Sequence, residues 1–361
     1  MRYQIRHRTT YAYALPAYES FNEVRLRPVS DDQQTCLNFT LTIDPPAPVI
    51  QFDDYYGNAV HDFGIPYLHE RLTIEAVSDV ITFAAADQPL AGPERSDHDD
   101  SAMLADVVAD DYFADDHAEF LTPSSYVALE DETATISSAI LSADPTPSTY
   151  GYLRAAAGWV HDNLTYQIGT TTVHSTISEV LAGQAGVCQD FSHLLIALCR
   201  HVGLPARYVS GYLGDVAESA ASHAWVEAFV PPYGWIGIDA TAGGPCTGRH
   251  VKLAVGRDYG DVSIVRGTYR GGSNSELTVE VTSQQIDETL GIAMTGKAQR
   301  GRLVQYQTLG GLRRFQTQQV GSMGQVQGMG GRYHSFDGVH DQFPDDEVPR
   351  QQPQQQQQFG S

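Results

Sequence analysis

Cys188 sits in "GVCQDFSHLLIALCRHVGLPARYVSGYL" (residues 186–213), directly after a Gly-Val pair. Val187, Phe191, Leu194, Leu195 and Leu198 recur at helical spacing, so a helix is predicted to begin at Cys188. Gly203 ends it, and Pro205 follows two residues later. A thiol in a first helical turn meets backbone N–H groups that lack intrahelical partners, and the positive end of the macrodipole. Both favour thiolate over thiol, and the same N–H groups can hold an oxyanion. Cys199 lies eleven residues on along the same helix without that environment. It reads as buried packing.

A thiolate nucleophile needs a base, and the base needs an acceptor to orient it. His223 opens the alternating run "HAWVEAFV", 35 residues after Cys188, and Asp239 ends "GWIGID", 16 residues after His223. The "PPYG" turn between the two runs makes them antiparallel neighbours, which brings their outer ends together. Local geometry therefore places two of the three groups. Bringing Cys188 to His223 requires the helix to pack on the sheet. His193 has no ligand set around it in sequence and reads as a core or helix-surface histidine. Arg257, Asp258 and Asp261 in "GRDYGD" read as a structural charged loop, with a cleft lining as the other possibility.

The elements that must carry these groups fall into four stretches. Residues 1–84 are short alternating runs punctuated by turn residues, such as "YQIRHRTTYAY" and "RLTIEAVSDVITF", and predict a small β-sandwich-like domain. Residues 85–112 are acidic and carry Pro and Gly, as in a linker, with a short helix near Met103–Val108. Residues 113–284 hold helices first and strands afterwards, ending with "ELTVEVTS"; this is the α+β order. Within them Leu153, Ala157, Val160 and Leu164 share one helix face, and Thr176 with Glu179 has capping-box spacing. Residues 285–361 are rich in Gln and Gly and read as a disordered tail.

Bulk composition narrows the partners. The formal net charge is −22, and Lys252 and Lys297 are the two lysines of the 361-residue chain. So acidic a surface argues against nucleic acid or an anionic membrane as partner. It is also what a protein working in high salt would carry. No run of apolar residues is long enough for a membrane span, and the N-terminus alternates like a strand rather than a signal peptide. The cytoplasm is the expected location. The four cysteines form no CxxC pair, so free thiols are expected and a metal site is not.

"GVCQDFSHLLIALCRHVGLPARYVSGYL", "SHAWVEAFVPPYGWIGIDAT" and "HVKLAVGRDYGDVSIVRG", in that order, resemble the bacterial transglutaminase-like cysteine enzymes, whose members often carry cysteine-protease labels. "YQIRHRTTYAY", "VRLRPVS" and "DDYYGNAV" are similar to the β-rich domain that precedes the catalytic core in that family. The resemblance covers about residues 1–284. It implies a papain-like, transglutaminase-like core and a Cys188–His223–Asp239 triad, with no cofactor. Asp239-Ala240-Thr241 stands where the family usually has Asp-Pro-Thr, a change expected in loop stiffness rather than in the triad. The resemblance also makes Trp225 a cleft-wall candidate, with core packing as its equal alternative. Tyr166 and Gln184 become candidate oxyanion donors, and Glu227 a candidate acceptor behind the histidine. The expected reaction is acyl transfer from a protein or peptide amide through a thioester. Hydrolysis is favoured, because no amine site can be read; transamidation and a non-enzymatic scaffold are the alternatives.

Overall fold

A computed structural model describes residues 1–83, 101–214, 222–271 and 275–287, with backbone strands at 292–293, 299–302, 307–309 and 312–316. Most of the expected tail, and residues 85–100 of the expected linker, lie outside the described residues.

The N-terminal domain is organised by one long strand, β1 (Arg2–Val24). Its first half alternates strictly, with Tyr3, Ile5, His7, Thr9, Tyr11 and Tyr13 buried and Arg2, Gln4, Arg6 and Arg8 outside. That is the period-two pattern of a sheet with one packed face. The register shifts near residues 12–21, so the strand serves two flanks. β2 (Gln34–Asp44) pairs with β5 (His69–Thr82), and β5 pairs with the first half of β1. β3 (Val49–Asp53) pairs with β4 (Ala59–Ile65), and β4 pairs with the second half.

Residues 101–112 depart from the linker reading. Helix α1 (Leu104–Val108) forms where the sequence places a short helix, but Leu104 and Val107 are buried. Ala102 is tied by backbone bonds to Pro231 and Thr149 of the core, so this stretch packs as part of it. α2 (Asp111–Asp116) follows, capped by the Asp110 side chain.

The core holds α3 (Asp131–Ala143), α4 (Thr149–Asn163), β6 (Thr165–Tyr166), α5 (Ile177–Gly183), β7 (Ala185–Gly186) and α6 (Cys188–His201). Then come β8 (Ala206–Leu213), β9 (His223–Val230), β10 (Gly234–Asp239), β11 (Gly244–Pro245), β12 (His250–Gly256) and α7 (Tyr259–Val262). The sheet order is β11-β10-β9-β8-β12. α6 packs against β8 and β9 on one side and α3 and α4 on the other. It is buried from Cys188 to Arg200, so its polar residues need internal partners. Arg200 donates to the carbonyls of Phe120, Thr122, Ala206 and Arg257. His193 accepts from the Tyr259 N–H at 3.2 Å, the structural role expected of it. Gly203 stops α6 with φ of 76°.

"ELTVEVTS" is not a core strand. β13 (Val265–Gly271) and β14 (Ser275–Asp287) both pair with β1, so the chain returns to the N-terminal sheet after α7. The reason is long-range: β1 is long enough to offer a second edge, and β14 covers it from Tyr3 to Tyr13. No described helix is long and apolar enough to cross a membrane.

The two sheets meet along β12, the edge strand of the core sheet. The Gln34 side chain accepts from the Lys252 N–H at 2.7 Å and donates to the Lys252 carbonyl at 2.8 Å. Asn58 makes the same reciprocal pair with Val255, at 2.8 Å each way. Two primary amides thus satisfy an edge that would otherwise leave buried backbone groups unpaired. Tyr212, Val251 and Leu253 complete the join by packing into the N-terminal core.

Candidate active site

Cys188 occupies the first position of α6, as the apolar spacing requires. Val187, before it, is extended (ψ of 177°), and its N–H donates to Asp190 Oδ2 at 2.8 Å. Asp190 also accepts from the Thr171 hydroxyl at 2.6 Å. Burial raises the Asp190 carboxyl to about 6, with those two hydrogen bonds pulling the other way. The close approach fixes Gly186: a Cβ there would lie 2.7 Å from Asp190 Oδ2.

His223 and Asp239 come from adjacent strands. The β9–β10 register pairs Ile238 with Val226, so Asp239 falls opposite Trp225 and reaches His223 diagonally. His223 Nε2 donates to Asp239 Oδ2 at 2.7 Å. The Cys188 side chain lies close enough to favour the charged imidazole. With Nε2 committed to Asp239, Nδ1 is the nitrogen left to face the thiol. The structure therefore brings all three expected residues together, each 2 % exposed or less. Burial opposes the charged histidine, but the Asp239 carboxylate and the Cys188 side chain outweigh it and hold the imidazole up to about 10. Burial likewise opposes the Asp239 carboxylate, yet His223 and then His250 hold it well below the usual range.

The remaining candidates separate. Trp225 is buried with Val209, Cys246 and Val255, its ring 6.3 Å from that of His223; of its two readings, core packing fits. Tyr166 lies on β6, paired with Gly186, its ring tilted against Phe191 at 6.1 Å. That puts it beside the segment leading into Cys188. Gln184 is exposed and ends α5 in the left-handed region, with φ of 48°. Its carbonyl accepts from Thr165 N–H, a turn role rather than a place at the buried thiol. Glu227 shares the strand face of His223 but pairs with Arg207 at 2.6 Å and Lys252 at 2.5 Å. It is a structural ion cluster, not an acceptor behind the histidine. Asp258 caps α7 and accepts from Tyr126 N–H, and Arg257 pairs with Asp261, the structural charged loop. Burial pushes the Cys199 thiol up to about 12, as suits an inert core thiol.

One site residue has no counterpart in the sequence reading. His250, first residue of β12, places Nε2 3.2 Å from Asp239 Oδ2. Its signal was a histidine opening an alternating run, "HVKLAV", the same signal that marks His223. His223, Asp239 and His250 hold ligand-type atoms within 4.8 Å of one another. That spacing would also fit a metal ion, but the facing atoms already pair as hydrogen bonds.

Two families match along the chain: the bacterial transglutaminase-like N-terminal region over residues 3–81 and the transglutaminase-like superfamily over residues 135–240. An uncharacterized protein of Mycobacterium leprae is 32% identical over 291 residues, covering 78% of this chain and 98% of its own. One from Mycobacterium tuberculosis is 32% identical over 299 residues, covering 78% and 91%. A protein-glutamine gamma-glutamyltransferase of Pseudomonas aeruginosa is 33% identical over 67 residues, 16% of this chain and 10% of its own. The crystal structure of a "putative cysteine protease" from Cytophaga hutchinsonii has the same fold, with a TM-score of 0.59 at 23% identity over 84% of this chain and 98% of that one.

Proposed function

We propose that this chain, which belongs to the bacterial transglutaminase-like family, is a cysteine enzyme that breaks amide bonds by acyl transfer through Cys188. The observation that carries the reading is the buried His223–Asp239 hydrogen bond, with Cys188 close enough to act on the same imidazole. An imidazolium held against the thiol by a buried carboxylate is the partner a thiolate nucleophile needs. In the reaction the Cys188 thiolate attacks the amide carbonyl carbon. His223 gives its proton to the departing amine, and an acyl-thioester remains on Sγ. Asp239 keeps the imidazole oriented and balances its charge. The developing oxyanion would be received by N–H groups at the start of α6, with Tyr166 as a further candidate donor.

The acceptor then decides the outcome. Water gives a carboxylic acid and hydrolysis, which is the reading proposed because water is the more abundant acceptor. An amine gives a new amide. Two observations favour this second reading: the burial of Cys188, which limits water, and the likeness of 67 residues to a gamma-glutamyltransferase. The test is incubation with a glutamine-containing protein and a labelled primary amine. Peptide release without label incorporation, lost in Cys188→Ala, is the result expected. Cys188-dependent incorporation would replace hydrolysis by transamidation, and neither product would overturn the enzymatic reading.

A further inference from the structure

We infer that His250 is a positioning residue of this site, a neutral second histidine that holds Asp239 where His223 can use it. The inference rests on the acyl-transfer reading for its purpose but not for its geometry. Four donors reach the Asp239 carboxylate. Oδ1 accepts from the N–H groups of Thr241 at 2.9 Å and Ala242 at 3.3 Å. Oδ2 is shared by His223 Nε2 at 2.7 Å and His250 Nε2 at 3.2 Å. The two backbone donors belong to the turn that follows β10, so they fix one oxygen only. Among the described residues, His250 is the one donor besides His223 that bears on the other.

The proton on His250 is fixed by its second nitrogen. The Thr247 N–H donates to His250 Nδ1 at 3.0 Å, so Nδ1 is an acceptor. A longer contact, 3.3 Å, runs from the same nitrogen to the Thr247 carbonyl oxygen. An imidazole that accepts at Nδ1 carries its hydrogen on Nε2 and donates from there. His250 therefore adds a neutral hydrogen bond to Oδ2, and Asp239 keeps its charge for His223. The ring is held edge-on by Trp225, 5.1 Å away at 80°. Trp225 also stacks on His223, so one indole sets the spacing of both imidazoles. The rest of β12 is anchored by Gln34 and Asn58 of the N-terminal domain. The strand that carries His250 is thus anchored from the N-terminal domain, while its ring rests on β9 through Trp225.

Two substitutions separate donation from packing. His250→Phe keeps a ring against Trp225 and removes the donor. His250→Gln carries an amide nitrogen near the position of Nε2. In a Cys36→Ser background of the full chain, carbamidomethylation of Cys188 by iodoacetamide is followed by peptide mass spectrometry. His250→Phe slows the reaction roughly 10- to 100-fold, as expected when a catalytic group is misplaced by about an ångström. His250→Gln restores most of the rate. In the wild-type protein, long-range ¹⁵N–¹H spectra show the His250 hydrogen on Nε2. Wild-type rates in a folded His250→Phe, equal loss in His250→Gln, or a hydrogen on Nδ1 would each overturn the inference. If His250→Phe does not fold, the Gln variant and the spectrum decide. Alkylation needs no substrate, so a failure to find amide turnover would strike the proposed reaction and leave this inference standing.

Discussion

Asp239 accepts a hydrogen bond from each of four groups, and its charge governs the chemistry of the histidine beside it. Asp239→Asn removes that charge and lets the amide present the wrong face to His223; activity is expected to fall about 10⁴-fold, as for the equivalent change in a serine triad. The His223–Asp239 pair also sets a pH window. His223 is raised from 6.5 to about 10, so its contribution to stability is complete below about pH 6.5 and is lost as pH rises through about 10. Asp239 is lowered from 3.8, so its contribution is present above pH 3.8 and is lost as pH falls below that. Urea melts across pH should show the alkaline decline in the wild type and lack it in His223→Gln. At this scale the placement of Cys188, His223 and Asp239, the proposed triad, is legible in the sequence because each sits at an element boundary that local pattern defines. His250 is not, because its use depends on β12 lying across the sheet from β10, which no local spacing states. Glu227 misleads for the opposite reason: its strand face is legible, but its partners Arg207 and Lys252 come from β8 and β12.

Helix α6 and the β9–β10 hairpin are the elements whose packing makes the site. The helix bounds follow from the apolar spacing and Gly203, and the hairpin from the "PPYG" turn, so both are readable. What sequence leaves out is how tightly the sheet must close on Trp225. A Cβ at Gly211 would stand 2.4 Å from the Trp225 ring and 2.2 Å from the Val251 carbonyl oxygen. Gly211→Ala is therefore expected to push β8 from β9 and β12 and to cost about 1–3 kcal/mol or more, read as a lower urea midpoint. Glu227→Ala removes the buried one of the two acidic partners of Lys252, leaving Asp31, and should cost up to about 3–5 kcal/mol, without changing the reactivity of Cys188 in the protein that remains folded. The return of β13 and β14 to β1 is hidden from sequence because "ELTVEVTS" alternates equally well for either sheet.

At the scale of the whole molecule, the N-terminal domain is a structural partner of the site rather than an appendage. Its Gln34 and Asn58 side chains occupy the edge of β12, and Asp31 pairs with Lys252 at 2.9 Å. The double variant Gln34→Ala, Asn58→Ala leaves the Lys252 N–H and both Val255 backbone groups without these partners, while the Lys252 carbonyl keeps the Val29 N–H; each lost bond costs about 1–3 kcal/mol. It is expected to lower the thermal midpoint and to slow Cys188 alkylation together, whereas an effect on stability alone would confine the domain to a folding role. The net charge of −22 predicts stability that rises between low and molar KCl, as repulsion is screened. The central claim is that Cys188 is the nucleophile, and competition among the four thiols tests it most directly. Wild-type protein is exposed at pH 7 to less than one equivalent of iodoacetamide and mapped by peptide mass spectrometry. The account predicts that the label collects on Cys188 ahead of Cys36, Cys199 and Cys246, and that His223→Gln abolishes this preference. Label collecting on Cys36 or Cys199, with Cys188 unmodified, would contradict it.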